Sequence, residues 1–295
     1  MLFPDSARNR LLGIGLASGA YLCFATIDVC AKYLVQALPV LQVVWLRFAV
    51  HAVLMLLPAA RGGAALRWRD VRSPWLQFVR AMMLPAMTAL NFWALQYLQL
   101  AVTGAVQFAV PILVALFAAW LLSERLDPGR WIAVVVGFAG VLIIVRPGTE
   151  GFHPAILIAL ANAVLYALFN LLTRRLAATD PPGLTNTLSA LGAAVLIAPF
   201  ALAVWEAPGS LLQWVVIVVM GTAGGIGHLW LAQAHRYASA STIAPFMYQQ
   251  ILYMTMYGWL VFGDLPGAAV LGGAAIVVAS GLYLLWREQR RGELR

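Results

Sequence analysis

Ten apolar runs, most near the roughly 20 residues that a helix needs to cross a hydrocarbon layer, follow one another along this chain between short polar breaks. Such a pattern confines the chain to spanning helices. Lipid offers no hydrogen bonds to backbone N–H and C=O groups, and only a helix or a closed barrel satisfies them there. A barrel is excluded because the runs are continuous and do not alternate with period two. The predicted spans are 11–35, 40–60, 75–97, 101–122, 130–146, 154–175, 182–205, 211–234, 239–262 and 268–286. Charged residues make up 10% of the chain, against about 25% in a typical soluble domain.

Punctuation supports several starts. Ser73-Pro74, Asp127-Pro128 and Asp180-Pro181 each set a capping side chain before a proline, which is favoured at the first helical position. Positive charge predicts orientation, since Lys and Arg gather on cytoplasmic loops. With the N-terminus inside, 15 of the 19 basic residues fall on inner segments; Lys32 and Arg146 lie outside, and Arg47 and Arg80 lie within spans. Both termini are therefore expected in the cytoplasm. The net charge of +8 needs no nucleic acid, because scattered loop charges facing anionic lipid account for it. Cys23 and Cys30 sit seven residues apart on one helix, about 10 Å by helical rise and beyond disulfide reach. The first apolar run carries Asp28 and lacks a small-residue cleavage site, so it is expected to remain as a span and not to act as a signal peptide.

The array is duplicated. Asn91-Phe92-Trp93-Ala94-Leu95-Gln96 and His228-Leu229-Trp230-Leu231-Ala232-Gln233 share Trp, Gln and aliphatic spacing at an offset of 137 residues. Asp28 falls on Asn170 and Phe24 on Tyr166 at 142, and Glu124 falls on Asp264 at 140. Five spans per copy is an odd number, so the second copy enters the membrane from the opposite side. The expected architecture is an all-α integral membrane protein, with ten transmembrane helices in two inverted five-helix repeats, residues 1–147 and 148–295. Inverted repeats are associated with alternating access around a midplane site.

Polar residues inside spans are costly and are functional candidates by default. Asp28 is the acid placed well inside a span. Asp28 and Arg47 are symmetric about the Gln36–Pro39 turn, which sets them at similar depth and predicts an interhelical pair. A local Asp28–Lys32 pair at i,i+4 spacing is the alternative. His51, one turn from Arg47, is suited to an anionic group or a proton relay, or simply to packing. Arg80 lies about 9 Å into its span by helical rise, where it snorkels to the inner surface or meets a substrate anion. Asn162, Tyr166 and Asn170 form one polar stripe, which either lines a cavity or holds helices together. Gln107 and Phe108 precede Pro111, and Tyr248, Gln249, Gln250 and Tyr253 follow Pro245. Proline frees a backbone carbonyl in each helix. With Trp93 and Trp230, these residues suit an aromatic and amide-lined cavity for a planar or zwitterionic solute, although tryptophans also anchor at interfaces. Asn91 and His228 complete the candidate substrate-binding set. Glycines at 221, 224, 225 and 227, and at 15 and 19, read as sites of close helix approach.

Several stretches also resemble the EamA-type group of the drug/metabolite transporter superfamily. One runs from Ala101-Val102-Thr103-Gly104-Ala105 through Pro111 to Leu122-Ser123-Glu124-Arg125 and Gly137-Phe138-Ala139-Gly140-Val141. Another runs from Tyr237-Ala238-Ser239-Ala240-Ser241-Thr242-Ile243-Ala244-Pro245 through Gly258 to Phe262-Gly263-Asp264. Asp28-Val29-Cys30-Ala31-Lys32-Tyr33-Leu34, Arg47-Phe48 and Val79-Arg80 are similar too. The resemblance implies a ten-helix secondary carrier of a bacterial inner membrane that moves small polar metabolites. Spans one to four look most like the branch with S-adenosylmethionine carriers; amino acid exporters, riboflavin carriers and metallophore exporters share the fold. Asp264 stands where the family usually has Glu, and Ile251 stands where the first copy has Pro111. No GxxxxGK[ST] sequence occurs, so ATP hydrolysis is not expected, and proton or counter-substrate coupling is left. A polytopic membrane enzyme is the reading from another class, but His51, His153, His228 and His235 are scattered, and neither a cofactor nor a metal is expected.

Overall fold

The computed structural model describes residues 6–60, 71–121, 128–146, 152–176, 179–180, 182–238 and 243–293. The elements are α1 (Ala7–Leu34), α2 (Val40–Ala60), α3 (Pro74–Tyr97), α4 (Leu100–Gln107), α5 (Val110–Leu121), α6 (Pro128–Val145), α7 (Ala155–Leu176), α8 (Pro182–Ala203), α9 (Leu211–Tyr237), a 3-10 turn (Ala244–Tyr248), α10 (Gln249–Phe262) and α11 (Ala268–Glu293). With α4 and α5 taken as one broken span and the 3-10 turn joined to α10, these make ten helical segments at the places the apolar runs predict. Among the described residues no strand occurs. Among the described residues five of the helical segments are long and apolar enough to cross a membrane, by length and composition.

Local chemistry explains the ends. Ser6 caps α1 by accepting from the Asn9 N–H at 3.2 Å, and Ser210 caps α9 by accepting from Gln213 at the same distance. The fourth predicted span is broken at Phe108 and Ala109. Pro111 follows directly; it has no N–H to give, and its ring excludes the carbonyl of Gln107 four residues back. The α10 helix stops at Gly263, whose φ of 70° is the left-handed conformation that glycine adopts at least cost. The N–H groups of Gly263 and Asp264 then bond back to Trp259 and Gly258 at 3.0 and 2.9 Å. This closure fixes the direction in which Asp264 leaves the helix. Glu124, its expected repeat mate, lies outside the described residues.

The main packings come in pairs: α1 with α9 and α3 with α7, α2 with α9 and α3 with α8, α1 with α10 and α7 with α4–α5. Advancing every span by five exchanges the members of each pair. It returns α2 with α8, and α6 with α11, to themselves. Where α2 meets α9 the backbones approach closely. A Cβ on Gly221 would strike the Val50 side chain and sit 3.1 Å from the Arg47 carbonyl, and one on Gly225 would lie 3.4 Å from the His51 ring. Small residues at these positions let two helices share a polar layer, as the glycine cluster in the sequence suggests.

Candidate functional site

A polar layer lies inside the bundle where α1, α2, α3 and α9 meet. Asp28 is buried on α1 and accepts from Asn91 Nδ2 of α3 at 2.8 Å. Buried Arg47 on α2 donates from Nη1 to Thr88 Oγ1 at 2.7 Å, and its guanidinium lies 4.9 Å from the Phe48 ring centroid and 5.9 Å from that of Phe92. One turn on, His51 is 1% exposed. Its ring stacks on His228 of α9 with centroids 5.7 Å apart and planes 8° from parallel, and His228 meets Phe24 at 5.1 Å.

Neither expected ion pair of Asp28 forms. Arg47 and Asp28 do not come within 4 Å of one another, and Lys32 turns away to Asp264 at 2.7 Å. Counting residues from a turn fixes a side chain's depth but not the rotation of its helix, and rotation gives Asp28 to Asn91. Arg80 departs from snorkelling as well. It is buried, donates to Thr173 Oγ1 at 3.1 Å, to the Thr185 carbonyl at 3.3 Å and to Ser189, and lies 4.5 Å from the Phe169 ring.

A second group surrounds the break between α4 and α5. Phe108 and Tyr248 are buried with ring centroids 5.2 Å apart, in one apolar cluster with Ala159, Ala163 and Ala167 of α7. Buried Gln107 Oε1, Asn162 Oδ1 and the Tyr248 hydroxyl have no hydrogen-bond partner, and neither do Arg47 Nε and both ring nitrogens of His51. Half-buried Tyr166 packs against this cluster and against the one around Asp28, which joins the two groups. Asn170 bonds back to the Tyr166 carbonyl at 2.8 Å, so its amide serves its own helix. Tyr253 donates to Gln249 Oε1 at 3.5 Å, at the limit of a hydrogen bond. Trp93 and Trp230 face outward at 37% and 38% exposure, with the Trp230 ring across Gly19 of α1.

The repeat-matched Asn91 and His228 thus reach the same layer from α3 and α9. Sequence reading missed Thr88, although it lies one turn from Asn91. It also missed the tie between the ends of α3 and α8, where Gln77 Nε2 donates to Asp180 Oδ2 and to Thr185 Oγ1, each at 2.8 Å. Asp180 had signalled only a helix boundary. Two surface grooves lie away from the polar layer, one beside Gln77 and one of about 470 Å³ between α10 and α11. Among the described residues no three of His, Cys, Asp or Glu gather to hold a metal ion.

Known proteins resemble this chain in sequence along nearly its whole length. The S-adenosylmethionine uptake transporter of Rickettsia felis is 25% identical, over 97% of this chain and 96% of its own. The riboflavin transporter of Vibrio cholerae is 28% identical over 92% of each chain. The pseudopaline exporter CntI of Pseudomonas aeruginosa is 26% identical over 92% of this chain and 95% of its own. A solved crystal structure with 22% identity superposes at a TM-score of 0.63, covering 97% of this chain and 99% of that one, and so shares the fold. The pattern that describes the EamA-like transporter family matches twice, at residues 11–146 and 153–286, and the chain therefore belongs to that family.

Proposed function

We propose that this protein is a secondary-active carrier of the bacterial inner membrane that moves a small polar metabolite by alternating access. The two repeats, 1–147 and 148–295, are inverted, and both termini are cytoplasmic. The observation that carries this reading is the polar layer inside the bundle: buried Asp28, Arg47 and His51 and half-buried Asn91 come from the first half, and half-buried His228 from the second. A site shared by two halves is accessible from one side or the other when the halves rock. The exchange of packings under a five-span shift supports the repeat, and the excess of basic residues on one set of loops supports the orientation.

The two polar groups favour a solute with two different ends. The Asp28–Asn91 and Arg47–His51 positions suit an ammonium and a carboxylate, as in an amino-acid-like head. The unsatisfied Gln107, Asn162 and Tyr248 atoms beside Phe108 suit a planar group with hydrogen-bond donors and acceptors. Such a solute is an amino-acid-derived or nucleoside-like aromatic zwitterion. The relatives include both uptake carriers and an exporter, so uptake of S-adenosylmethionine or riboflavin and export of a metallophore are the alternatives within this class.

Reconstitution in liposomes tests the reading. Radiolabelled S-adenosylmethionine, riboflavin and an amino-acid-derived metallophore are offered in turn. Saturable flux of at least one, accelerated by the same solute on the opposite side, is expected. Flux that rises linearly with concentration and shows no counterflow would mean a channel, and chemical conversion of the solute would mean an enzyme.

A further inference from the structure

Arg47 and His51 stand one turn apart on α2 and carry three buried nitrogens without a partner: Arg47 Nε, His51 Nδ1 and His51 Nε2. Buried polar atoms are usually satisfied, because each gives up water on burial. Three on two adjacent side chains point to a polar guest. Its sign follows from the neighbours. Arg47 is a fixed cation, and Arg80 is a second buried cation on α3. The facing carboxylate is Asp28 of α1, which Asn91 already engages. Cys23, also on α1, lies against α9 at Gly227. The side formed by α2 and α9 is thus positive, and an anion fits it.

The stacked imidazoles add a constraint. At 5.7 Å and nearly parallel, and beside an arginine, the two rings repel strongly if both are charged. The pair holds one proton at most. A carboxylate placed against such a ring favours its protonated form, and a protonated imidazole has an N–H on each side to give. We infer that Arg47, His51 and His228 form a carboxylate subsite that takes up one proton together with its anion, so that solute and proton are bound as a pair. A carboxylate fits better than a phosphate, because a dianion would face Asp28, whereas an ammonium next to the carboxylate would meet it. The inference rests on the reading of this layer as the solute site, and adds its coupling ion.

Purified full-length protein in detergent micelles tests it, with sodium benzoate as the carboxylate probe and inorganic phosphate and sodium chloride at matched ionic strength. Benzoate is expected to raise the melting temperature where phosphate and chloride do not. Its apparent affinity should tighten on going from pH 8 to pH 6, approaching about tenfold per pH unit for one linked proton. In weak buffer with a pH-sensitive dye, benzoate should draw about one proton from solution per site filled. Arg47→Lys should weaken benzoate at every pH, and His51→Asn or His228→Asn should flatten the pH dependence. The idea is overturned if benzoate does not stabilise the protein, if phosphate does so equally, or if benzoate binds without proton uptake. The last measurement needs only the unsubstituted protein, so misfolding of a variant cannot blur it. Saturable flux in liposomes together with proton-free benzoate binding would remove the coupling and leave the carrier. Proton-linked benzoate binding with no flux of any solute would do the reverse.

Discussion

At one end of the bundle Lys32 leaves α1 to meet Asp264 beyond α10 at 2.7 Å, while at the other Gln77 of α3 donates to Asp180 and Thr185 ahead of and within α8. Both ties join one half of the chain to the other. The first is an ion pair, supplemented by the Leu98 carbonyl, which accepts from Lys32 at 3.1 Å, and by the Phe262 ring centroid 4.8 Å from the ammonium. The second continues through Thr185 to Arg80, and from Arg80 to Thr173 and Ser189, so that carboxylate and cation are each held by neutral partners. A single pair opens in one step when one partner moves. A chain of shared hydrogen bonds opens only when several break together, and losing one leaves the others in place. Of these two ties the Lys32 pair is the one expected to open first under the proposed alternating access. Gln42 of α2 also holds that end, donating to the Glu206 carbonyl at 2.6 Å and accepting from the Glu206 N–H at 2.8 Å. The end faces outward if the basic loops are cytoplasmic.

The largest effect is expected from turning the pair against itself. Asp264→Lys sets two ammonium groups where attraction held the end closed. Because the two side chains are 12% and 27% exposed, the cost is far below that of a fully buried pair, about 1–2 kcal/mol. Flux should fall by about tenfold for that free energy. Adding Lys32→Asp should recover most of both losses in a double-mutant cycle read by melting temperature and by flux. If the reversed pair is as poor as the single variant, the ion pair is not what closes this end.

Next in size is the same operation at the other end. Gln77→Leu leaves Asp180 Oδ2 and the Thr185 hydroxyl without that donor. The loss should be about 1 kcal/mol, seen as a lower melting temperature with flux reduced less than by Asp264→Lys. The Arg80 bonds to Thr173 and Ser189 do not pass through Gln77. A larger loss of flux than Asp264→Lys causes would overturn the ranking of the two ends.

This contrast marks what the sequence could and could not carry. Span positions were legible because hydropathy and caps are local, and α2 and α3 lie within a residue of their predicted limits. Kinks were partly legible, since Pro111 announces the break that follows Gln107. Asn91 and His228, paired in the sequence by their offset, meet Asp28 and His51 respectively. Those partners were not legible, because both contacts depend on how each helix rotates about its axis. Lys32 and Asp264 are 232 positions apart, and they meet through the packing of α1 on α10 and the left-handed turn at Gly263. Asp180 looked like a cap because Asp before Pro usually is one; the observed α8 begins at Pro182, and the carboxylate is instead taken by α3.

The smallest effect separates the two ends by acidity. Burial pushes the Asp180 carboxyl up, but hydrogen bonds from Gln77, Thr179 and the backbone N–H groups of Arg72 and Ser73 outweigh it and hold the group below its ordinary value. A depressed carboxyl stabilises the folded state fully above its unfolded value, near 4, and that contribution is lost as pH falls through the folded value. Melting temperature should therefore drop in the acid range below about pH 4 in part through Asp180. Asp180→Asn should remove that part, leaving a shallower acid limb with little change in slope between pH 6 and 8. An acid limb that keeps its full steepness in Asp180→Asn would show that other carboxyls govern it. Gln77→Leu makes the discriminating companion: it removes one of the donors that depress the group, so the Asp180 part of the acid limb should become smaller and end at a higher pH while Asp180 is still present.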